Sequence, residues 1–143
     1  MFNNILIVCV GNICRSPSAE VILKELLPNK DISSAGIHAV VGADIESNAA
    51  NQLNIHGHPY NTHQATQLTE ELAARAELIL VMEKKHQQIL MQKYPSASGK
   101  IMLLGKWNCD EDIPDPYKKD TVAFEHAYNQ INKHCALWAD KIK

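Results

Sequence analysis

The run Ile5-Leu6-Ile7-Val8-Cys9-Val10 constrains this chain more than any other stretch. Continuous aliphatic residues leave no water-facing side, so the strand they form must be covered on both faces, as in a parallel sheet. Gly11-Asn12 breaks the run, and Ser16-Pro17 reads as an N-cap with proline at the first helical position, opening a helix over Ser18 to Leu27. Ile32 to Ile37 reads as a weaker strand ended by Gly36, and Asp44 as the cap of a helix carrying Ala49, Ala50 and Leu53 that Gly57 stops. The stretch His58 to Gln67 is irregular and polar. Thr69-Glu70-Glu71 starts a short helix, Leu78 to Met82 is a second buried strand followed by a helix over roughly Lys84 to Lys93, and Ile101 to Leu104 is another strand. Lys106 to Lys119, with Trp107, two prolines and four acidic residues, is too polar for a regular element and long enough to be a functional loop. A last helix runs from about Thr121 to Ile142, its apolar stripe formed by Val122, Phe124, Tyr128, Ile131, Cys135, Leu137 and Trp138. This βα alternation predicts a parallel sheet with helices on both faces and right-handed crossovers.

At 143 residues, the chain has the size of one domain spanning residues 1–143, with no repeat or linker to divide it. A net charge of −2 with scattered lysines gives no footprint for nucleic acid. The apolar runs are too short to span a bilayer and Met1-Phe2-Asn3-Asn4 lacks a signal peptide's basic start, so a cytoplasmic location is expected. In that setting the four cysteines are expected to be reduced thiols. The histidines are scattered apart from His56-Gly57-His58, and a two-histidine loop falls short of a structural zinc site; no metal and no cofactor are expected.

Chemistry concentrates where the first strand ends. Ligands of open parallel sheets bind beyond the carboxyl ends of the strands, and Cys9 lies there. Cys9, then Val10, Gly11, Asn12, Ile13 and Cys14, then Arg15 and Ser16, places five residues between a cysteine and an arginine at a helix N-terminus. A loop of that length can turn successive backbone N–H groups inward as an anion nest, reinforced by the helix dipole. Arg15 adds a planar, permanently charged fork for two phosphate oxygens, which lysine cannot imitate. Helix N-termini and guanidinium groups also favour the thiolate, the nucleophilic form of cysteine. Gly11 permits unusual dihedrals, Ser16 can hydrogen-bond the sulfur, and the Asn12 amide is expected to pin the loop through backbone carbonyls. Taken singly, Cys9 is a small buried hydrophobe and Arg15 a surface charge; their joint spacing argues for function. A nucleotide-binding P-loop is excluded, since no Gly-Lys-Ser or Gly-Lys-Thr occurs.

Val8 to Pro17 with Ala19-Glu20 resembles the signature of the low-molecular-weight protein tyrosine phosphatases, and the likeness continues through Ser33-Ser34-Ala35-Gly36, His63, Gln67-Leu68, Leu78 to Met82 and Pro114-Asp115-Pro116-Tyr117. It is strongest toward the bacterial subgroup tied to capsule or exopolysaccharide export, whose partner is a membrane tyrosine kinase with a tyrosine-rich tail. The resemblance implies a flavodoxin-like fold with a four-stranded parallel sheet in order 2-1-3-4, and phosphotyrosine hydrolysis through a phosphocysteine. It selects Asp115 from the crowded acidic residues as general acid, with Pro116 stiffening the loop. Tyr117 is implied as one pocket wall and Val40 is taken as the other, in place of a family tryptophan; Ser34, His63 and Glu20 are implied to buttress the loop. Lys118 stands where eukaryotic members often carry a second tyrosine, which suggests a wider, more polar rim. The family's paired arginines after this histidine are absent from His63-Gln64-Ala65-Thr66-Gln67. Ile13, where phosphoarginine-cleaving relatives have threonine, favours phosphotyrosine.

Two rivals share the loop. A thiol-dependent arsenate reductase needs further cysteines after the third strand, and Glu83 to Lys93 contains none. A redox module would pair Cys9 with Cys14 in a reversible disulfide. Trp107, Trp138 and Cys135 are expected to pack in the core.

Overall fold

The computed structural model describes residues 2–143. Strands β1 (Asn4–Cys9), β2 (Asp31–Gly36), β3 (Leu78–Val81) and β4 (Ile101–Leu103) form one sheet in the order β2-β1-β3-β4, every neighbouring pair parallel. This is the order that the family resemblance implies. The uninterrupted apolar character of β1 follows from its central place: Ile5, Ile7 and Cys9 point to one side and Leu6 and Val8 to the other, all buried. Helices α1 (Arg15–Leu26), α2 (Ser47–Ile55) and α5 (Thr121–Ile142) cover the first side, through Ile22, Leu23, Leu53, Phe124, Ile131 and Trp138. On the second side, α3 (Glu70–Arg75) and α4 (Lys84–Lys93) bring Ala73 and Leu90 against Leu6, Val8, Ile79 and Val81. Burying each large aliphatic side chain contributes about 1.5–3 kcal/mol, so β1 is the spine of both cores.

Several local expectations are corrected. The first helix begins at Arg15, three residues before the predicted Ser18, with Cys14 as N-cap. Ser16 is therefore inside the helix, and Pro17 occupies its third position, where the missing N–H would have had no intrahelical partner anyway. The second strand runs from Asp31 to Gly36, the third stops at Val81 and the fourth at Leu103. Asp44 does not cap α2: Glu46 does, accepting from the Asn48 N–H, while Asp44 accepts from Ile45 and His63 backbone N–H groups. A 3₁₀ turn at Pro95–Lys100 joins α4 to β4. Val122 is solvent-exposed, and the buried stripe of α5 runs instead through Phe124, Ala127, Tyr128, Ile131, His134, Cys135 and Trp138. Trp107 is not in the core: it is 40% exposed and meets Trp138 edge-on at 5.4 Å, flanked by the Lys106 and Lys141 ammoniums. Among the described residues, no helix is long and apolar enough to cross a membrane.

The register sets Cys9 opposite Gly36 at the carboxyl edge of the sheet. A Cβ on Gly36 would lie 2.5 Å from the Val10 carbonyl oxygen and 3.1 Å from Asn12 Cβ, so only glycine lets β2 end flush against the loop after β1. Gly36→Ala is expected to lower stability by about 1–3 kcal/mol, read as a lower urea midpoint.

Candidate active site

Cys9 closes β1, and residues 10–14 arch over the edge of the sheet into α1. The loop's carbonyls are all engaged. Cys9, Val10 and Gly11 accept from the backbone N–H groups of Ile37, His38 and Val40, Ile13 accepts from Glu46, and Cys14 from Ser18. His63 Nε2–H donates to the Asn12 carbonyl at 2.7 Å, and the Ser18 hydroxyl adds a bond to that of Cys14. By contrast, the N–H groups of residues 11–16 donate to no acceptor among the described residues. Cys14 also caps α1 without a side-chain bond, so the positive end of the helix is left for a ligand. A loop with its acceptors turned into the protein and its donors unpaired is an anion-binding surface.

Asn12 holds this shape. It is fully buried in the left-handed region, at φ 59°, where an ordinary side chain costs about 1–2 kcal/mol and asparagine is favoured among non-glycine residues. Its Nδ2 donates to Ser16 Oγ at 2.7 Å and Ser34 Oγ at 2.9 Å, and its Oδ1 accepts from the Thr66 N–H. The expected carbonyl partners are thus replaced by two hydroxyls and one amide. The chain of donors has a direction. Ser34 Oγ–H donates to Glu20 Oε1 at 2.5 Å, and Ser16 Oγ, already accepting from Asn12, is free to donate to Cys9 Sγ at 2.9 Å. Lys24 holds the other Glu20 oxygen.

The Arg15 side chain is only 2% exposed. Its Nη1 donates to Glu83 Oε2 at 2.6 Å and to the Ile113 carbonyl at 2.8 Å, leaving Nε and Nη2 as the edge for an oxyanion. Nη2 lies 3.6 Å from Asp115 Oδ2, across a half-exposed and therefore weakly coupled contact. Glu83 escaped the sequence reading; its only signal was an acid at the end of a buried strand. His86, one helical turn later, is buried with neither ring nitrogen hydrogen-bonded among the described residues, and lies 3.6 Å from Glu83. Burial, then the Arg15 charge, lowers its pKa.

Cys9, Val10, Gly11, Ile13, Cys14, Arg15, His38, Val40, Asp115 and Tyr117 line a pocket of about 190 Å³. Tyr117 and Val40 supply apolar wall, and Val40 and Ile13 flank Gly11. Asp115 Oδ1 accepts from the Tyr117 N–H, a short turn that fixes the carboxyl relative to the ring. Ser16, Ser34, His63 and Glu20 lie behind the loop and do not line the pocket. Burial, followed by the neighbouring Cys9, Glu46 and Asp115, pushes the Cys14 thiol far up, so it stays protonated. Larger spaces elsewhere in the molecule contain neither Cys9 nor Arg15. Among the described residues, no cluster of three or more metal-ligating side chains occurs.

A buried thiol, an oriented guanidinium and unpaired amides at the edge of a parallel sheet define the class: an α/β domain that presents a nucleophile to a bound oxyanion. The family model described as low molecular weight phosphotyrosine protein phosphatase matches residues 4–143. The probable low molecular weight protein-tyrosine-phosphatase AmsI of Erwinia amylovora is 44% identical over 142 residues, covering 99% of both chains. The solved structure of the tyrosine phosphatase Wzb from Escherichia coli K30 with sulphate superposes with a TM-score of 0.97 at 39% identity, covering all of both chains. Wzb of Vibrio vulnificus, in complex with benzylphosphonate, gives 0.95 at 46% identity over 99% of each chain. The chain belongs to the low-molecular-weight protein-tyrosine phosphatase family.

Two outcomes test the Arg15 environment. Glu83→Gln removes the charge that orients the guanidinium, and competitive inhibition by inorganic phosphate should weaken roughly tenfold, in line with about 1.5 kcal/mol for one charged hydrogen bond. His86 has a folded pKa below its unfolded value, so the unfolded chain takes up the proton first as pH falls. Its stabilising contribution is present above the unfolded value and is lost as pH drops from there through the folded one. Urea midpoints at pH 7.5 and 5.5 should differ less in His86→Leu than in the parent chain.

Proposed function

We propose that this phosphatase hydrolyses phosphotyrosine through a phosphocysteine intermediate, with Cys9 as nucleophile, Arg15 as phosphate-binding arginine and Asp115 as general acid. The observation that carries the reading is the polarity of the loop, whose N–H groups at residues 11–16 have no acceptor among the described residues while its carbonyls are bonded outward. The Cys9 sulfur attacks phosphorus. The amides of Gly11 to Ser16 and the free edge of Arg15 hold the three equatorial oxygens as charge develops there, the task that metal ions perform in other phosphoryl-transfer sites. The P–O bond to the phenol breaks as Asp115 protonates the leaving oxygen, and Asp115 then takes a proton from the water that attacks the phosphocysteine. The Ser16 hydroxyl, set to donate to Sγ, stabilises the thiolate that departs. No cofactor enters this scheme.

The apolar Tyr117, Val40 and Ile13 suit an aryl ring better than an aliphatic or guanidinium phosphate. The chain's likeness within the family is to the exopolysaccharide-associated subgroup. On that likeness, the substrate is an autophosphorylated membrane tyrosine kinase of polysaccharide export, met by a cytoplasmic enzyme.

Phosphotyrosine, phosphoserine and phosphoarginine peptides, hydrolysed in excess chelator, test the reading. Phosphotyrosine should be cleaved preferentially, Cys9→Ser should be inactive, and Asp115→Asn should lower kcat/KM by about 10²–10⁴-fold. Failure to cleave phosphotyrosine, with arsenate reduced by added thiol, would overturn the reaction while leaving the anion loop in place.

A further inference from the structure

The loop that carries Asp115 is anchored at a place that touches neither phosphate nor pocket. It leaves β4 at Leu104 and enters α5 at Thr121. Glu111 Oε1, four residues before Asp115, accepts from His134 Nε2–H at 2.8 Å and from Gln130 Nε2–H at 2.9 Å. These donors stand one turn apart on α5, and Gln130 Nε2 also reaches the Asp112 carbonyl at 3.4 Å. His134 is completely buried, and its Nδ1 has no partner among the described residues. The Glu111 backbone is fixed as tightly: its N–H donates to the Gly105 carbonyl, and a Cβ on Gly105 would collide with the Glu111 carbonyl oxygen. Just before it, Cys109 and Asp110 are both left-handed, at φ 58° and 55°, and Lys118 is left-handed at 63° beyond Tyr117. Three strained residues persist only where the surroundings over-determine the backbone. Two residues after Glu111, Ile113 donates its N–H to Met82 and accepts from Arg15.

Burial of a polar imidazole in the stripe of α5 is costly unless it is paired, and a leucine there would pack at less cost. The one hydrogen bond of the His134 ring among the described residues goes to Glu111. The two donors, His134 first, also hold the Glu111 carboxyl below the usual carboxylate range, which keeps it an acceptor at neutral pH. We propose that Glu111, clasped by Gln130 and His134 of α5, is a positioning residue for Asp115: it fixes the root of the loop so that the Asp115 carboxyl reaches the leaving-group oxygen. This rests on the reading of Asp115 as general acid.

The dependence of kcat/KM on the leaving group separates positioning from mere stability, because a misplaced acid penalises poor leaving groups selectively. Phenyl phosphate and p-nitrophenyl phosphate would be compared in the parent chain, Glu111→Ala, Glu111→Gln, Asp115→Asn and the Glu111→Ala/Asp115→Asn double variant. Glu111→Ala should lower kcat/KM for phenyl phosphate by about 10-fold or more, while changing p-nitrophenyl phosphate by at most a few-fold and leaving inhibition by inorganic phosphate unchanged. Glu111→Gln keeps an acceptor oxygen and should recover part of the loss; in the Asp115→Asn background, Glu111→Ala should add no leaving-group penalty. If Asp115→Asn shows the penalty and Glu111→Ala loses activity equally on both esters, the positioning role is overturned and the general acid stands. If Asp115→Asn itself shows no penalty, the general-acid reading falls and the positioning role falls with it.

Discussion

Everything in this molecule is arranged around one mismatch of hydrogen bonding. A buried loop normally pairs both its donors and its acceptors. Here each carbonyl from Cys9 to Cys14 is paired, while the amides from Gly11 to Ser16 find no acceptor among the described residues. Unpaired buried donors are costly, so the loop keeps its shape only because other parts of the fold hold it. Ile37, His38 and Val40 just beyond β2, Glu46 ahead of α2 and the His63 ring donate to its carbonyls. The sheet and helices thus stabilise a conformation that the loop alone would not adopt.

Asn12 converts that support into chemistry. One buried amide ties Ser16 to Ser34, and so connects the sulfur of Cys9 to the carboxylate of Glu20 through a directed series of donors. The same residue presents its carbonyl to His63 and its amide oxygen to Thr66, from a segment more than fifty residues away in sequence. Cooperative polar networks of this kind tolerate little loss, because each member satisfies its neighbour. Arg15 is treated likewise: Glu83 and Ile113 take one edge of the guanidinium, and the other edge faces the pocket with Asp115.

Much of this was legible in the sequence because the signals were local. The apolar run before Gly11 announces a strand buried on both faces, and a cysteine and arginine five residues apart at a strand-to-helix junction announce an anion loop. The bounds of α4 and α5 follow from periodicity and from caps close in sequence. Errors arose where distant contacts override local preference. Ser16-Pro17 looks like a helix start, yet the helix begins at Arg15 because Ser16 is needed against Cys9 and Asn12. Trp107 looks like a core residue, yet the loop sets it at the surface against the edge of Trp138.

What the sequence determined by itself is the class of fold and the identity of the reactive segment, since alternation, glycine placement and the Cys9–Arg15 spacing act over a few residues. What only the tertiary structure decided is orientation. Glu83 is an ordinary acid at a helix start until β3 and β1 bring it to Arg15, and His134 is an apolar-stripe intruder until the loop lays Glu111 across it. Hydrogen bonds depend on distances between residues that the chain separates by 68 and 23 positions, and no local pattern encodes those distances.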